Sequence, residues 1–185
     1  RLRLRRWRYQ EHCIVADARD YDGLTSRKRA YSFFTALPSP FNWEKPSERR
    51  TTPIWSIIEE HLPELRDVTH SKSLNDGIAC GRLRTITPES CHSPTFLKSQ
   101  LRMAKDSCVI RVDDRLYWPS EALTKRLMGI DESFTLENCS TTIASEIIGQ
   151  SVDMGLHDMV VRSVKRHLIE FYDSIKSLRP FWVAA

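Results

Sequence analysis

Residues 16–31 read ADARDYDGLTSRKRAY, and the order of charge, turn and apolar content in this stretch sets the expected fold. The run that leads into it, His12 to Ala18 (HCIVADA), has the apolar content of a buried strand. Asp20-Tyr21-Asp22-Gly23 then supplies a turn. A basic cluster, Ser26-Arg27-Lys28-Arg29, follows and runs directly into a second strand-like segment, Ala30 to Thr35. Arg27 and Arg29 stand at i and i+2. On extended backbone that spacing projects both guanidinium groups to one side, where two forks can converge on a phosphate and a base carbonyl. A generic basic turn is the competing reading.

Upstream, the chain opens in RLRLRRWRYQEH without an initiator Met, which reads as the tail of a helix already under way. A fragment, a processed product or a partner subunit would begin this way. Downstream, Pro38, Pro40 and Pro46 break regular structure and mark a crossing into another region. Thr52-Pro53 opens a short helix with Thr52 as N-cap and IWSIIEEHL as its body. Residues 63–100 are irregular and polar, with turn signals at Asn75-Asp76-Gly77 and Ser93-Pro94, a poor core but a plausible recognition surface. Cys108–Val112 and Leu116–Trp118 read as strands flanking an Asp113-Asp114 turn. Pro119 begins a helix through Met128, with Gly129 at its C-terminus. Val152, Leu156, Val160, Val164, Leu168, Phe171 and Ile175 recur at steps of four and three, which predicts one long helix from Glu146 to about Ile175.

Composition bounds the classes. With 41% hydrophobic and 28% charged residues over 185 positions, the chain is an ordinary globular one, large enough for one domain or a small domain plus part of another. No apolar run approaches the ~20 residues that cross a bilayer, and no secretory h-region follows the basic start. Net charge is +4, yet residues 1–50 alone hold 12 Lys+Arg against 6 Asp+Glu, which suits a polyanion partner or a solvated face. Five cysteines without tight spacing suggest reduced thiols and an intracellular setting, cytoplasm or nucleoid. Cys80, Cys91, His92 and Cys108 do not fit a zinc pattern, so no metal is expected. The glycines form no phosphate or dinucleotide loop.

Three spaced features together resemble the late motifs of the DNA cytosine-5 methyltransferases. The family shows an acidic residue and a tyrosine near a strand end, then Gln-x-Arg-x-Arg. Here Asp20-Tyr21 precedes Arg27 and Arg29, with Thr25 at the glutamine position. The family's Arg-x-Leu-Thr-x-x-Glu and Arg-Leu-x-Gly-Phe are similar to Arg115, Glu121 and Arg126-Leu127-Met128-Gly129-Ile130, with Tyr117-Trp118 in place of Leu-Thr. Gly-Asn-x-Val resembles Gly149-Gln150-Ser151-Val152. Ser93-Pro94-Thr95-Phe96 resembles the dipeptide region that ends the variable recognition segment. The motifs fall in family order, roughly ninety and thirty residues apart.

The resemblance implies a fold: an α/β chain holding an incomplete edge of a methyltransferase sheet, a small irregular α+β target-recognition domain and a long C-terminal helix. It implies a division at 1–43 (last strands of the catalytic domain), 44–112 (target recognition), 113–145 (joining segment) and 146–185 (C-terminal helix). It further implies that Arg27 and Arg29 hold the flipped cytosine and nearby backbone, that Thr95 contacts DNA, and that Gln150, Ser151 and Val152 line an S-adenosylmethionine pocket. The partners are double-stranded DNA and an N-terminal half, in cis or as a separate chain, in DNA methylation or restriction-modification. The family's nucleophile sits in a Pro-Cys loop, whereas Cys13, Cys80, Cys91, Cys108 and Cys139 follow His12, Ala79, Ser90, Ser107 and Asn138. Carbon-5 methylation needs that thiolate to attack carbon 6 of cytosine, so the chain alone is expected to be inactive. The alternatives are a non-catalytic DNA-binding module or degenerate remnant, and an unrelated basic α+β domain.

Overall fold

In a computed structural model, residues 8–98 and 100–178 are described. Strands β1 (Gln10–Asp17) and β3 (Lys28–Thr35) pair antiparallel, from Gln10 opposite Thr35 to Asp17 opposite Lys28. Asp17 accepts a hydrogen bond from the Arg19 N–H and starts a 3-10 turn, Ala18–Tyr21, which Asp22 ends in the left-handed region at φ 62°. From there β2 (Thr25–Ser26) leaves the hairpin and runs parallel to β6 (Ser93–Pro94). The two strands read from the sequence are therefore one hairpin. The basic opening expected as a helix tail lies mostly in residues 1–7, outside the described residues; Gln10–His12, its last part, are strand.

The largest sheet among the described residues is mixed and four-stranded, in the order β4 (Arg66–Asp67), β8 (Arg115–Trp118), β7 (Cys108–Val112), β5 (Arg84–Ile86). Along β7, Cys108 and Ile110 face one core and Val109 the other, and all three are fully buried. Both faces of the strand are thus covered, which accounts for its unbroken apolar run. Helices α1 (Trp55–His61), α3 (Glu121–Leu127) and α4 (Thr141–Gln150) bring Ile58, Leu123, Leu127 and Ile148 to the first core. Helix α2 (Lys72–Ala79) brings Leu74 to the second.

Three sequence expectations need correction here. Residues 63–100 are not a poor core: Leu74, Ile86 and Phe96 are among the most buried side chains. Asn75-Asp76-Gly77 is helix, not turn, because Gly77 serves close packing; a Cβ there would lie 2.5 Å from the Lys105 carbonyl oxygen. Helix α1 starts at Trp55 rather than after Thr52, since Ile54 is buried and its N–H is taken by the Ser90 carbonyl at 2.9 Å.

The single helix expected over 146–175 is two helices. Helix α4 ends at Gln150, and α5 (Met154–Leu178) begins after Asp153, whose carboxylate accepts the Gly155 N–H at 3.1 Å as an N-cap does. The covered stripe of α5 also differs from the expected one. Leu156, Met159, Ser163 and His167 are buried, at steps of three and four. Residues 35–44 lie along this side: the Glu44 N–H donates to Ser163 Oγ (2.9 Å), and His167 bonds Thr35 Oγ1 (3.1 Å) and the Pro40 carbonyl (3.2 Å). Polar partners on that strap select polar residues on the helix. The expected apolar positions Leu168 (50%) and Ile175 (41%) are left exposed. Among the described residues no helix is long and apolar enough to cross a membrane.

Candidate functional site

Arg27 is the largest fully buried side chain, and its surroundings define the site. Helix α4 ends with carbonyls that have no intrahelical partner, and the helix dipole makes that end negative. Arg27 reaches in from the end of β2 and fills the need. Its Nη2 donates to the Gly149 carbonyl at 2.8 Å and the Ser151 carbonyl at 2.5 Å, and its Nη1 to the Phe96 carbonyl at 3.2 Å. One guanidinium thus joins three segments far apart in sequence. Burial, helped by the charge of Arg29, brings the Arg27 pKa down to about 10, with Asp153 and Tyr31 opposing. It remains charged at neutral pH.

Beneath it lies Asp153, almost fully buried. Thr25 Oγ1 donates to its Oδ2 at 2.6 Å. Burial raises the Asp153 pKa, against the lowering effects of Thr25, the Leu156 and Gly155 N–H groups and Arg27. Thr95 closes the group, its hydroxyl donating to the Ser26 carbonyl while its own carbonyl accepts from Arg84. Gly149 permits the close approach of the 97–98 backbone; a Cβ there would meet the Lys98 nitrogen at 2.6 Å.

The sequence-predicted residues divide on this geometry. Arg27, Thr95 and Ser151 come together. Arg29 does not join them: it is part-exposed, its Nη1 donating to the Lys28 carbonyl at 3.0 Å. The expectation that both arginines project to one side is corrected, because Arg27 lies between two strands rather than within one and turns inward to the α4 carbonyls. Gln150 is exposed and donates to Glu146 Oε1 at 2.8 Å. Ser151 and Val152 line an open, mostly apolar hollow of about 410 Å³ with Ile130, Phe134, Ile147 and Met154. Asp153 was missed, and Thr25 was read only as the residue at the glutamine position, not as Asp153's partner. The signal for Asp153 was present, an N-cap residue ahead of MGLHDMVV, but it was absorbed into one long helix.

Among the described residues no group of three or more His, Cys, Asp or Glu is placed to hold a metal ion. Cys108 is fully buried and its thiol is pushed up to about 12 by desolvation, so it is inert at neutral pH.

No protein-family model matches the chain, and no curated protein does. Solved structures do match. The Entamoeba histolytica methyltransferase EhMeth superposes with a TM-score of 0.61 at 12% identity, over 93% of this chain and 56% of that one. The S. pombe Dnmt2 methyltransferase gives 0.63 at 14%, over 85% and 57%. A mutant of Spodoptera frugiperda DNMT2 gives 0.61 at 14%, over 86% and 59%. The fold is a methyltransferase fold. The chain spans a little over half the length of the structures it matches. Within that methyltransferase fold, the mixed α/β architecture of partial sheets and helices is as expected.

Proposed function

We propose that the chain is the C-terminal portion of a DNA (cytosine-5-)-methyltransferase that binds duplex DNA and the flipped cytosine, with an N-terminal half completing the enzyme. The observation that carries this reading is the Arg27 bridge: two late family motifs, 122 and 124 residues apart along the chain, meet through one buried guanidinium. In this reading residues 1–43 extend the catalytic sheet, 44–112 recognise the target, 113–145 join the two, and 146–185 return to the catalytic domain.

Two features support an absent half. Hairpin β1–β3 is a two-stranded sheet whose outer edges are unpaired among the described residues, and such a pair is marginal alone. Helix α5 turns Val161, Leu168, Ile169, Tyr172 and Ile175 to solvent. The solved methyltransferases carry roughly two-fifths of their length beyond the match.

The hollow beside Ser151 and Val152 fits part of S-adenosylmethionine, since apolar walls with few polar groups suit a flat adenosine face. Those two residues would form one wall, with Gln150 at its rim. The cofactor supplies the electrophilic methyl group; the thiolate that activates cytosine comes from the other half. Arg29, with a guanidinium edge that has no partner among the described residues, takes the DNA contact that buried Arg27 does not. One observation favours the alternative of a non-catalytic DNA-binding module: Thr25, at the glutamine position, is committed to Asp153.

The test is transfer of labelled methyl from S-adenosylmethionine to duplex DNA by the chain with and without its N-terminal half. No transfer alone and clear transfer when combined is the expected result. In the combined protein, replacing Ser151 and Val152 with bulky residues should weaken cofactor binding. A combined protein that binds DNA but transfers nothing would leave the binding-module reading.

A further inference from the structure

We propose that Asp153 and Thr25 are positioning residues for the cofactor, holding residues 151–154 as a fixed wall of the hollow beside α4. The inference rests on the reading that this hollow takes part of S-adenosylmethionine. It concerns two side chains that do not themselves line the hollow.

Ser151, Val152 and Met154 line the hollow, whereas Asp153, between them, is 1% exposed. The segment joins α4 to α5, and its anchors come from distant parts of the chain. Arg27 Nη2 donates to the Ser151 carbonyl at 2.5 Å, and the Met154 N–H donates to the Met128 carbonyl at 3.0 Å. Between these two points Thr25 Oγ1 donates to Asp153 Oδ2 at 2.6 Å. The wall is thus held at both ends and from behind its middle.

Capping α5 does not by itself account for Asp153. The cap uses the Gly155 N–H, 3.1 Å from Oδ1, and the Leu156 N–H. A serine there would serve without burying a carboxylate. The second oxygen, Oδ2, reaches Thr25, which is fully buried and 128 residues away along the chain. Two glycines let the segments meet. A Cβ on Gly23 would lie 2.7 Å from Asp153 Oδ1, and one on Gly155 would lie 2.7 Å from the Tyr21 carbonyl oxygen. The 20–23 turn therefore lies against the start of α5, with Thr25 just beyond it.

Without the Thr25 hydroxyl a buried carboxylate loses one of its donors, so Asp153 turns or the segment shifts. Either change moves Val152 and Met154, its neighbours in the wall. An apolar wall binds a flat ring well only where its shape is held from behind, so the loss falls on cofactor affinity. Neither Asp153 nor Thr25 lines the hollow, so the transfer step itself is spared. Thr25, at the family's glutamine position, then serves the cofactor side.

The experiment is calorimetric titration of the combined protein with S-adenosylmethionine, alongside the kinetics of methyl transfer to duplex DNA. Thr25→Val keeps the β-branched shape and the α5 cap and deletes only the hydroxyl. It should weaken cofactor binding several-fold and raise the KM for cofactor with kcat little changed. Thr25→Ser, which restores the hydroxyl, should return both values. Asp153→Asn, which can still take part in both bonds, should stay near the wild type. In the chain alone, hydrogen exchange at the Met154 amide should quicken in Thr25→Val while the β7 amides keep their protection, which also shows the variant folded. Thr25→Ala makes the same deletion should the valine variant not fold. Unchanged cofactor affinity in the hydroxyl-deleted variant, whatever the fall in stability, would make the pair a structural tie and overturn the inference. Equal losses in Thr25→Ser and Thr25→Val, or a fall in kcat with KM unmoved, would overturn it too. In each of these cases a wild-type protein that binds cofactor and transfers methyl leaves the methyltransferase reading standing. A wild-type combined protein that binds no cofactor removes that reading, and the inference with it.

Discussion

The junction around Arg27 and the outer face of α5 invert the usual distribution of polar and apolar groups in opposite ways. At the junction a guanidinium, a carboxylate and a threonine hydroxyl are buried; both Arg27 Nη atoms, the carboxylate and the hydroxyl have partners, while Arg27 Nε has none among the described residues. On α5, Val161, Leu168, Ile169 and Tyr172 stand in solvent along one ridge. Buried polar groups are tolerable when their bonds are made, so the first region is largely satisfied within this chain, Arg27 Nε excepted. A contiguous row of exposed apolar side chains is the signature of an interaction surface, and the proposed N-terminal half is its expected cover. The contrast separates a region whose bonds are made within the chain from one whose apolar side chains are left to solvent.

Removing Arg27 should show the largest effect. Arg27→Ala deprives the Gly149, Ser151 and Phe96 carbonyls of their donor and leaves Asp153 without its nearby cation. Loss of one partner from such a buried set costs about 3–5 kcal/mol. Urea denaturation of the isolated chain should register that drop. A loss under about 1 kcal/mol would mean the junction is not a finished unit, and the comparison fails on its first side.

The second side is tested by Leu168→Glu. Leu168 is half exposed in the chain alone, so its stability should move by less than about 0.5 kcal/mol. Association with the proposed N-terminal half should weaken by about 1.5–3 kcal/mol, the worth of one buried leucine, or roughly tenfold to a hundredfold in Kd. Paired calorimetry and denaturation separate the two quantities. Destabilisation of the chain itself would place Leu168 in its own core instead.

The sequence carried more of the fold than of the site. The strands and turns of both hairpins, β1–β3 and β7–β8, were legible because apolar runs flank acidic turns, where Asp22 and Asp113 take positive φ; their pairing came from the structure. Helix α3 was legible from Pro119, Glu121 and Gly129. The break at 151–153 was not, because Val152 and Leu156 keep helical spacing across it; only the tertiary arrival of Arg27 at the α4 carbonyls makes the interruption favourable. Likewise the covered stripe of α5 was misread. Periodicity finds apolar rows, whereas here the strap of residues 35–44 brings hydrogen-bonding groups and buries Ser163 and His167. Motif order pointed to Arg27 and the segment at Ser151 sharing one place, but not to Thr95 joining them nor to the orientations, since sequence spacing says nothing of a side chain drawn inward by another helix's end.

The smallest effect, and the finest test of the junction, concerns Asp153. Burial raises its pKa above the ordinary 3.8 despite four opposing influences. Between 3.8 and its own higher value, the folded chain keeps a proton that the unfolded chain has released, so the native state binds more protons than the unfolded one. Stability conferred by the protonated carboxyl is therefore present at low pH and lost as pH rises through that window. Asp153→Asn keeps the shape, can still accept from the Gly155 N–H, and can donate to Thr25 Oγ1 once that hydroxyl turns. The variant should match the wild type near the bottom of the window and become relatively more stable above it, as measured by denaturation at stepped pH. The reverse slope, with wild type gaining on the variant as pH rises, would show that Arg27 and the α5 N–H groups more than offset desolvation. The junction would then owe its strength to a buried ion pair, and Arg27 would be held there by charge as much as by the carbonyls of α4.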